Sequence, residues 1–140
     1  MMSCTSRAAL TIFCVLASLL ACGQKSTEPE TLSSGKITFI NSSYYTIILT
    51  TMIQSRPGDN ATDELNRQMP PYFRVEINNL LDGGVIFPGG DNISINFESL
   101  ARQPDNPDRP LFERVVVLTV NGPQNVRIKG QNGEYEIGGY

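Results

Sequence analysis

The sequence predicts an all-β domain, an antiparallel β-sandwich, on three observations. From Lys36 onward apolar residues recur at every second position, as in Phe73, Val75, Ile77 and again in Ile93, Ile95, Phe97, which is the side-chain period of a half-buried strand. Clusters of turn formers interrupt that pattern at short intervals: Asp82-Gly83-Gly84, Pro88-Gly89-Gly90-Asp91 and Asn121-Gly122. Val115 to Val120 is β-branched almost throughout, a composition that favours strand. Many short strands divided by turns point to a sandwich, with an immunoglobulin-like arrangement as the first topology to consider and a small antiparallel barrel as the alternative.

Taken in order, Ile37 and Phe39 share one face of a first strand. In the second, Tyr45, Ile47, Leu49 and Ile53 take one face, and Tyr44, Thr46, Thr50 and Met52 the other. A third strand points Phe73, Val75 and Ile77 inward and Tyr72, Arg74 and Glu76 outward. Ile93, Ile95 and Phe97 then alternate with Asn92, Ser94, Asn96 and Glu98. The Val115–Val120 run lacks alternation and reads as a central strand covered on both faces. Val126 and Ile128 alternate with Arg127 and Lys129, and Tyr135 and Ile137 close the chain. Two connections are long. Residues 54–71 hold Ala61 to Gln68 behind Asp59 and Asn60, which predicts a short capped helix in that loop. Residues 101–110, with three prolines, are expected to be extended and without regular structure.

The N-terminal part has a different composition. Arg7 is the only charge in the first 24 residues, and an uncharged run from Ala8 to Ala21 follows it, the order of a secretory signal. At 14 residues the run is short of the roughly 20 that a membrane-crossing helix needs. Leu19-Leu20-Ala21-Cys22 resembles the lipobox of bacterial lipoproteins, with Leu at −3, a small residue at −1 and the cysteine. The resemblance covers the first 23 residues. It implies cleavage before Cys22, a lipid on that cysteine, and a membrane as partner through the anchor. Gly23 in place of Asp implies the outer rather than the inner membrane of a Gram-negative envelope. The organisation that follows is a signal peptide over 1–21, lipidated Cys22 with a flexible tether over 22–35, and a folded domain over 36–140. The tether is expected because Gly23 to Gly35 is polar, Ser- and Glu-containing and aperiodic.

Composition narrows the chemistry. A net charge of −3 supplies no basic stripe to displace counterions, so nucleic acid is not an expected partner. The chain has no histidine, and its three cysteines, Cys4, Cys14 and Cys22, all precede the folded part. The commonest general base, the commonest metal ligand and any structural disulfide are therefore unavailable to the domain. Lys25, Lys36 and Lys129 are the lysines beyond Cys22, and none lies in a serine–lysine motif. No catalytic residue and no cofactor is expected, and a hydrolase is the least favoured reading.

Binding candidates remain. Tyr44 and Tyr72 could form an aromatic shelf for sugar or peptide if their strands were neighbours. Asp59, Asp63 and Glu64, beside Asn60, offer hard oxygen ligands, as do Asp105, Asn106 and Asp108, but neither stretch has the EF-hand spacing and no metal site is assigned. Asn41-Ser42-Ser43, Asn60-Ala61-Thr62 and Asn92-Ile93-Ser94 match the glycosylation acceptor pattern, which carries no meaning under a bacterial address. The expected function is that of a non-catalytic interaction module on a lipid anchor, meeting envelope proteins or glycans. The second reading is a small-ligand or calcium-binding lipoprotein that uses the 54–71 and 101–110 loops.

Overall fold

The computed structural model describes residues 30–139, so Cys22 and the signal-type segment lie outside the described residues. Ten strands follow one another: β1 (Ile37–Asn41), β2 (Ile47–Arg56), β3 (Asp59–Met69), β4 (Arg74–Glu76), β5 (Asn92–Ser99), β6 (Arg102–Gln103), β7 (Asn106–Pro110), β8 (Glu113–Thr119), β9 (Gln124–Lys129) and β10 (Glu134–Gly139). They form two four-stranded sheets, in the orders β10-β9-β1-β4 and β3-β2-β5-β8, and a two-stranded ribbon, β6-β7. Neither large sheet closes on itself, so the domain is a sandwich and not a barrel. Its wiring differs from the immunoglobulin plan. The expected antiparallel pattern holds in every pairing but one, because β1 runs parallel to β9.

The core lies between the two inner faces. Ile37 and Phe39 of β1, Val75 of β4, Val126 and Ile128 of β9 meet Ile47, Leu49 and Met52 of β2, Ile93, Ile95 and Phe97 of β5, and Val116 and Leu118 of β8. Phe97 sits edge-on to Phe112, centroids 6.4 Å apart, and to Tyr135 of β10 at 6.2 Å. Such edge-to-face pairs add about 0.5–1.5 kcal/mol to the area each ring buries.

Four local expectations are corrected. No helix forms in residues 54–71. The stretch is a β-hairpin turning at Pro57-Gly58, where Pro precedes a glycine at φ 81°, as a type II turn requires. Continuous pairing to β2 overrides the helix-forming side chains of β3. Residues 101–110 are extended as expected but regular, because β6 and β7 pair. β8 is the edge strand of its sheet, with Val115 and Val117 exposed, rather than a covered central strand. Finally, β2 changes phase. Relative to β5, β2 carries one extra residue between Leu49 and Thr51, so Met52 and Gln54 turn inward and Ile53 becomes 44% exposed; β3 carries a further extra residue opposite, where Asn66 has φ 44°. An inserted residue inverts every later side chain in a period-two strand.

The strand directions define two poles. At one, the chain enters: Gly35 pairs with Phe87, and Gly122 N donates to Ser33 O at 2.6 Å. The Pro57-Gly58 turn, residues 77–91 and residues 120–123 share this entry pole. At the other end of β1 lie the connections 42–46, 70–73, 100–112 and 130–133.

The entry segment is threaded tightly. A Cβ on Gly35 would run into the backbone of Gly122 and Pro123, and one on Gly89 into the backbone of Leu32. Backbone on both sides cannot yield as a flexible side chain would. Gly35→Ala is expected to cost about 1–3 kcal/mol, the range for overpacking, read from the urea midpoint at unchanged m-value. A variant as stable as the parent would show that this segment is not docked.

Candidate functional site

β1 ends at Asn41, whose side chain is fully buried and holds three segments at once. Its Nδ2 donates to Tyr45 O at 2.7 Å and to Met69 O at 2.9 Å. Its Oδ1 accepts from Ser43 N at 3.0 Å and Ser43 Oγ at 2.7 Å. The backbone of the same residue receives the 70–73 connection: Asn41 N donates to Phe73 O at 2.9 Å, and Tyr72 N to Asn41 O at 2.7 Å. Ser42 N donates to Ile128 O, and Leu100 N to Thr46 O. Three connections, 42–46, 70–73 and the start of 100–112, are thus laced together at the end of β1.

The lacing presents aromatic side chains to solvent. Tyr44 is 76% exposed, Tyr72 75%, Phe73 51% and Leu100 43%. Tyr45, next to Tyr44, turns inward and meets Phe112 edge-on at 6.0 Å, so the base of the protruding ring is fixed by packing. Tyr72 has φ 64°, a left-handed conformation that costs a non-glycine residue about 1–2 kcal/mol. Strain held at an exposed aromatic is a structural pointer to function. Of the two serine hydroxyls here, Ser43 Oγ donates to Asn41 Oδ1 at 2.7 Å and Ser42 Oγ accepts from Arg127 NH1 at 3.0 Å.

The two tyrosines expected to form a shelf are therefore brought to one pole, by a route other than the expected one. β2 and β4 belong to different sheets, and both tyrosines precede the strands on which they were placed. Neither ring contacts another ring among the described residues; they flank Asn41. Phe73, expected in the core, is displaced because β4 begins only at Arg74.

The acidic candidates do not converge. Asp63 pairs with Met52, which faces the core, and Glu64 with Thr51, on the outer face, so their carboxylates leave β3 on opposite sides. Asp59 lies four residues from Asp63 along the strand, about 13 Å away. Asp105, Asn106 and Asp108 lie exposed in the ribbon. Among the described residues no cluster of acidic groups suits a metal ion.

Charge is concentrated instead at the entry pole, in a network that composition alone did not reveal. Gln54 Nε2 donates to Asn79 Oδ1 at 2.9 Å and Asp91 Oδ2 at 2.8 Å. Its Oε1 accepts from Leu80 N at 2.7 Å. Arg56 donates to both oxygens of Asp82, at 3.2 and 2.7 Å, and to Asp91 at 2.8 Å. The Arg56 hydrogen bonds, helped by Asn79, hold the Asp82 carboxyl below its ordinary range. Every charge in this group has an internal partner, which makes it a clamp on residues 77–91 rather than an open site.

No family model matches the chain, and no curated protein sequence does. Among solved structures the fold aligns with listeriolysin O (17% identity, TM-score 0.46, 76% of this chain and 22% of that one). It also aligns with a disulfide-locked intermedilysin mutant with human CD59 (10%, 0.48, 76% and 24%) and a protein described as a trapped toxin (11%, 0.49, 78% and 24%). The chain spans about a quarter of the length of these proteins.

Two measurements separate the poles. Asn41→Ala removes the buried hydrogen bonds to Met69 O and from Ser43 N and is expected to cost about 2–4 kcal/mol, since each unsatisfied buried group costs about 1–3. Tyr72→Gly relieves the left-handed strain and is expected to leave stability equal or raise it by about 0.5–1 kcal/mol, after the added chain freedom of glycine. A destabilised Tyr72→Gly would mean the ring packs, not projects. For Asp82, a depressed folded value means that the unfolded state binds more protons as pH falls. The stability it supplies is present above the ordinary carboxylate value, about 4, and is lost as pH falls through the lower folded value. The difference between parent and Asp82→Asn is therefore expected to be constant above about pH 5 and to shrink below about pH 4.

Proposed function

We propose that this chain is a lipid-anchored, non-catalytic contact module of the cell envelope, and that contact is made at the pole carrying Tyr44, Tyr72 and Phe73. One observation carries the second half: an aromatic side chain three-quarters exposed, on a backbone strained and pinned by buried hydrogen bonds. Leaving such a ring in water gains nothing for folding, whereas a rigid loop loses little entropy when a partner covers it. Hydrophobic side chains exposed singly are ordinary. Four within one set of interlaced connections are the kind of feature that marks an interaction surface.

The first half rests on Leu19-Leu20-Ala21-Cys22 behind an arginine and an apolar run too short to span a bilayer. Several acyl chains, at about 0.8 kcal/mol per buried CH₂, hold a protein on a membrane where one chain is marginal. An outer-membrane address follows from Gly23 at the position after the cysteine.

Cys22→Ser is expected to abolish incorporation of labelled palmitate and to leave an unprocessed or soluble product. Continued partitioning into detergent after signal cleavage would sink the lipoprotein reading. Separately, Tyr44→Ala is expected to melt within about 0.5 kcal/mol of the parent, as exposed positions do. A loss several times larger would make Tyr44 a structural residue and remove it from the contact.

A further inference from the structure

We infer that the aromatic pole receives a second polypeptide, one that offers a concave apolar pocket with an acidic rim and approaches the end of the domain opposite the entering chain. The inference deepens the contact reading above and rests on it.

Direction comes from the chain path. Hydrogen bonding of the domain begins at Ser33, beside Gly122, and Gly35 pairs with Phe87. β1 then runs straight to Asn41, so the aromatic connections lie about 23 Å beyond Gly35 at the rise of an extended strand. The aromatic pole is therefore the end of the domain opposite the entering chain.

Shape narrows the class. Rings exposed by three-quarters protrude. Clefts of about 380, 430 and 300 Å³ are lined by other residues, around Arg56, Phe112 and Asn125 respectively, and the second, although on this pole, does not include the exposed rings in its lining. Protruding rings cannot enclose a small molecule. They fit a host with a pocket of its own, as buried aromatic anchors do at protein interfaces. A glycan would need convergent polar side chains beside the rings to replace the water on its hydroxyls. Here Asn41 and Ser43 are consumed internally, and Ser42 accepts from Arg127. The connection Asn41-Ser42-Ser43-Tyr44-Tyr45-Thr46 has the Tyr, Ser and Asn composition of loops that bind proteins from one end of a sandwich, where tyrosine gives large contact area with few rotatable bonds.

Charge gives the rim. On a chain of net charge −3, residues 42–46, 70–73 and 100–101 contain no acid, and in the rest of the 100–112 connection Asp105 and Asp108 are matched in number by Arg102 and Arg109. Arg74 follows Phe73 directly, is exposed, and forms no ion pair among the described residues. A partner bearing carboxylates around its pocket complements it.

The test uses the full chain in the envelope of its source cell, with photoreactive benzoylphenylalanine replacing Tyr44 or Tyr72, and replacing Asn60 or Val117 as controls. Adducts are digested and weighed. The expected result is a peptide adduct from one protein at both 44 and 72 and at neither control. Affinity of that purified protein for the full chain should fall at least tenfold in Tyr44→Ala and in Tyr72→Gly. Arg74→Glu should weaken it further at low salt than at high salt. A lipid or sugar adduct at 44 and 72 overturns the polypeptide inference and leaves the contact module standing. Equal capture at Asn60 or Val117 would place the interface elsewhere and overturns both the inference and the placing of the contact at this pole. No adduct at any position overturns both.

Discussion

The buried amide of Asn41 is the constraint on which the aromatic pole depends. A primary amide has two donors and an acceptor with room for two bonds, and burial makes each unmet bond expensive. Asn41 can be buried only if two carbonyls and two donors come to it, and they come from the start of β2, the end of β3 and its own turn. Three of these groups lie within four residues of Asn41, and the fourth, the Met69 carbonyl, is 28 residues away. The amide therefore sets the relative positions of connections that would otherwise be independent, and the strained Tyr72 is held by the backbone of the same residue. Exposed rings become a defined surface because something beneath them is polar, buried and satisfied.

The entry pole uses the same device to a different end. Gln54 is buried as completely as Asn41, and it too collects carbonyl, carboxylate and backbone N–H groups. There the surrounding groups are ionised and close on one another, Arg56 against Asp82 and Asp91. That pole fastens residues 77–91 to the sheet and receives the incoming chain. The contrast lies in what is left over. Around Gln54 the charged groups pair with one another, although Arg56 Nε is buried without a partner, while around Asn41 apolar rings remain in water. An unfilled requirement marks a site better than the density of charged residues does.

Much of the fold was legible in the sequence where burial follows period two without interruption. β5 and β9 have the faces their alternation predicts, and Ile37 and Phe39 enter the core together. The failures have separate physical causes. β3 is built from Asp, Asn, Glu, Arg and Gln, which favour helix or turn, and is held as a strand by β2 alone. β8 is uniformly apolar, and composition cannot distinguish a strand covered on both faces from an edge strand with valines in solvent. Of the site, Tyr44 and Tyr72 were legible as exposed aromatics, but what brings them to one pole was not. Asn41 read as the start of a glycosylation pattern, and its amide is internal. Burial of an amide is decided by chain segments that meet only in the folded state.

The bulge at Thr50 ties these points together. Strict alternation through β2 would leave Ile53 in the core and Met52 and Gln54 outside. With one residue inserted, and Thr50 Oγ1 donating to Asn96 O at 3.2 Å, the aromatic-pole half of the strand keeps Ile47 and Leu49 inward. The entry-pole half turns Met52 and Gln54 inward instead. Gln54 then stands where it can organise the clamp, and Arg56, two residues on, follows it to the same face. A single insertion lets one strand serve two poles with different requirements. No residue type marks it in the sequence, because the bulge is a property of the pairing between β2, β3 and β5, not of any side chain within it.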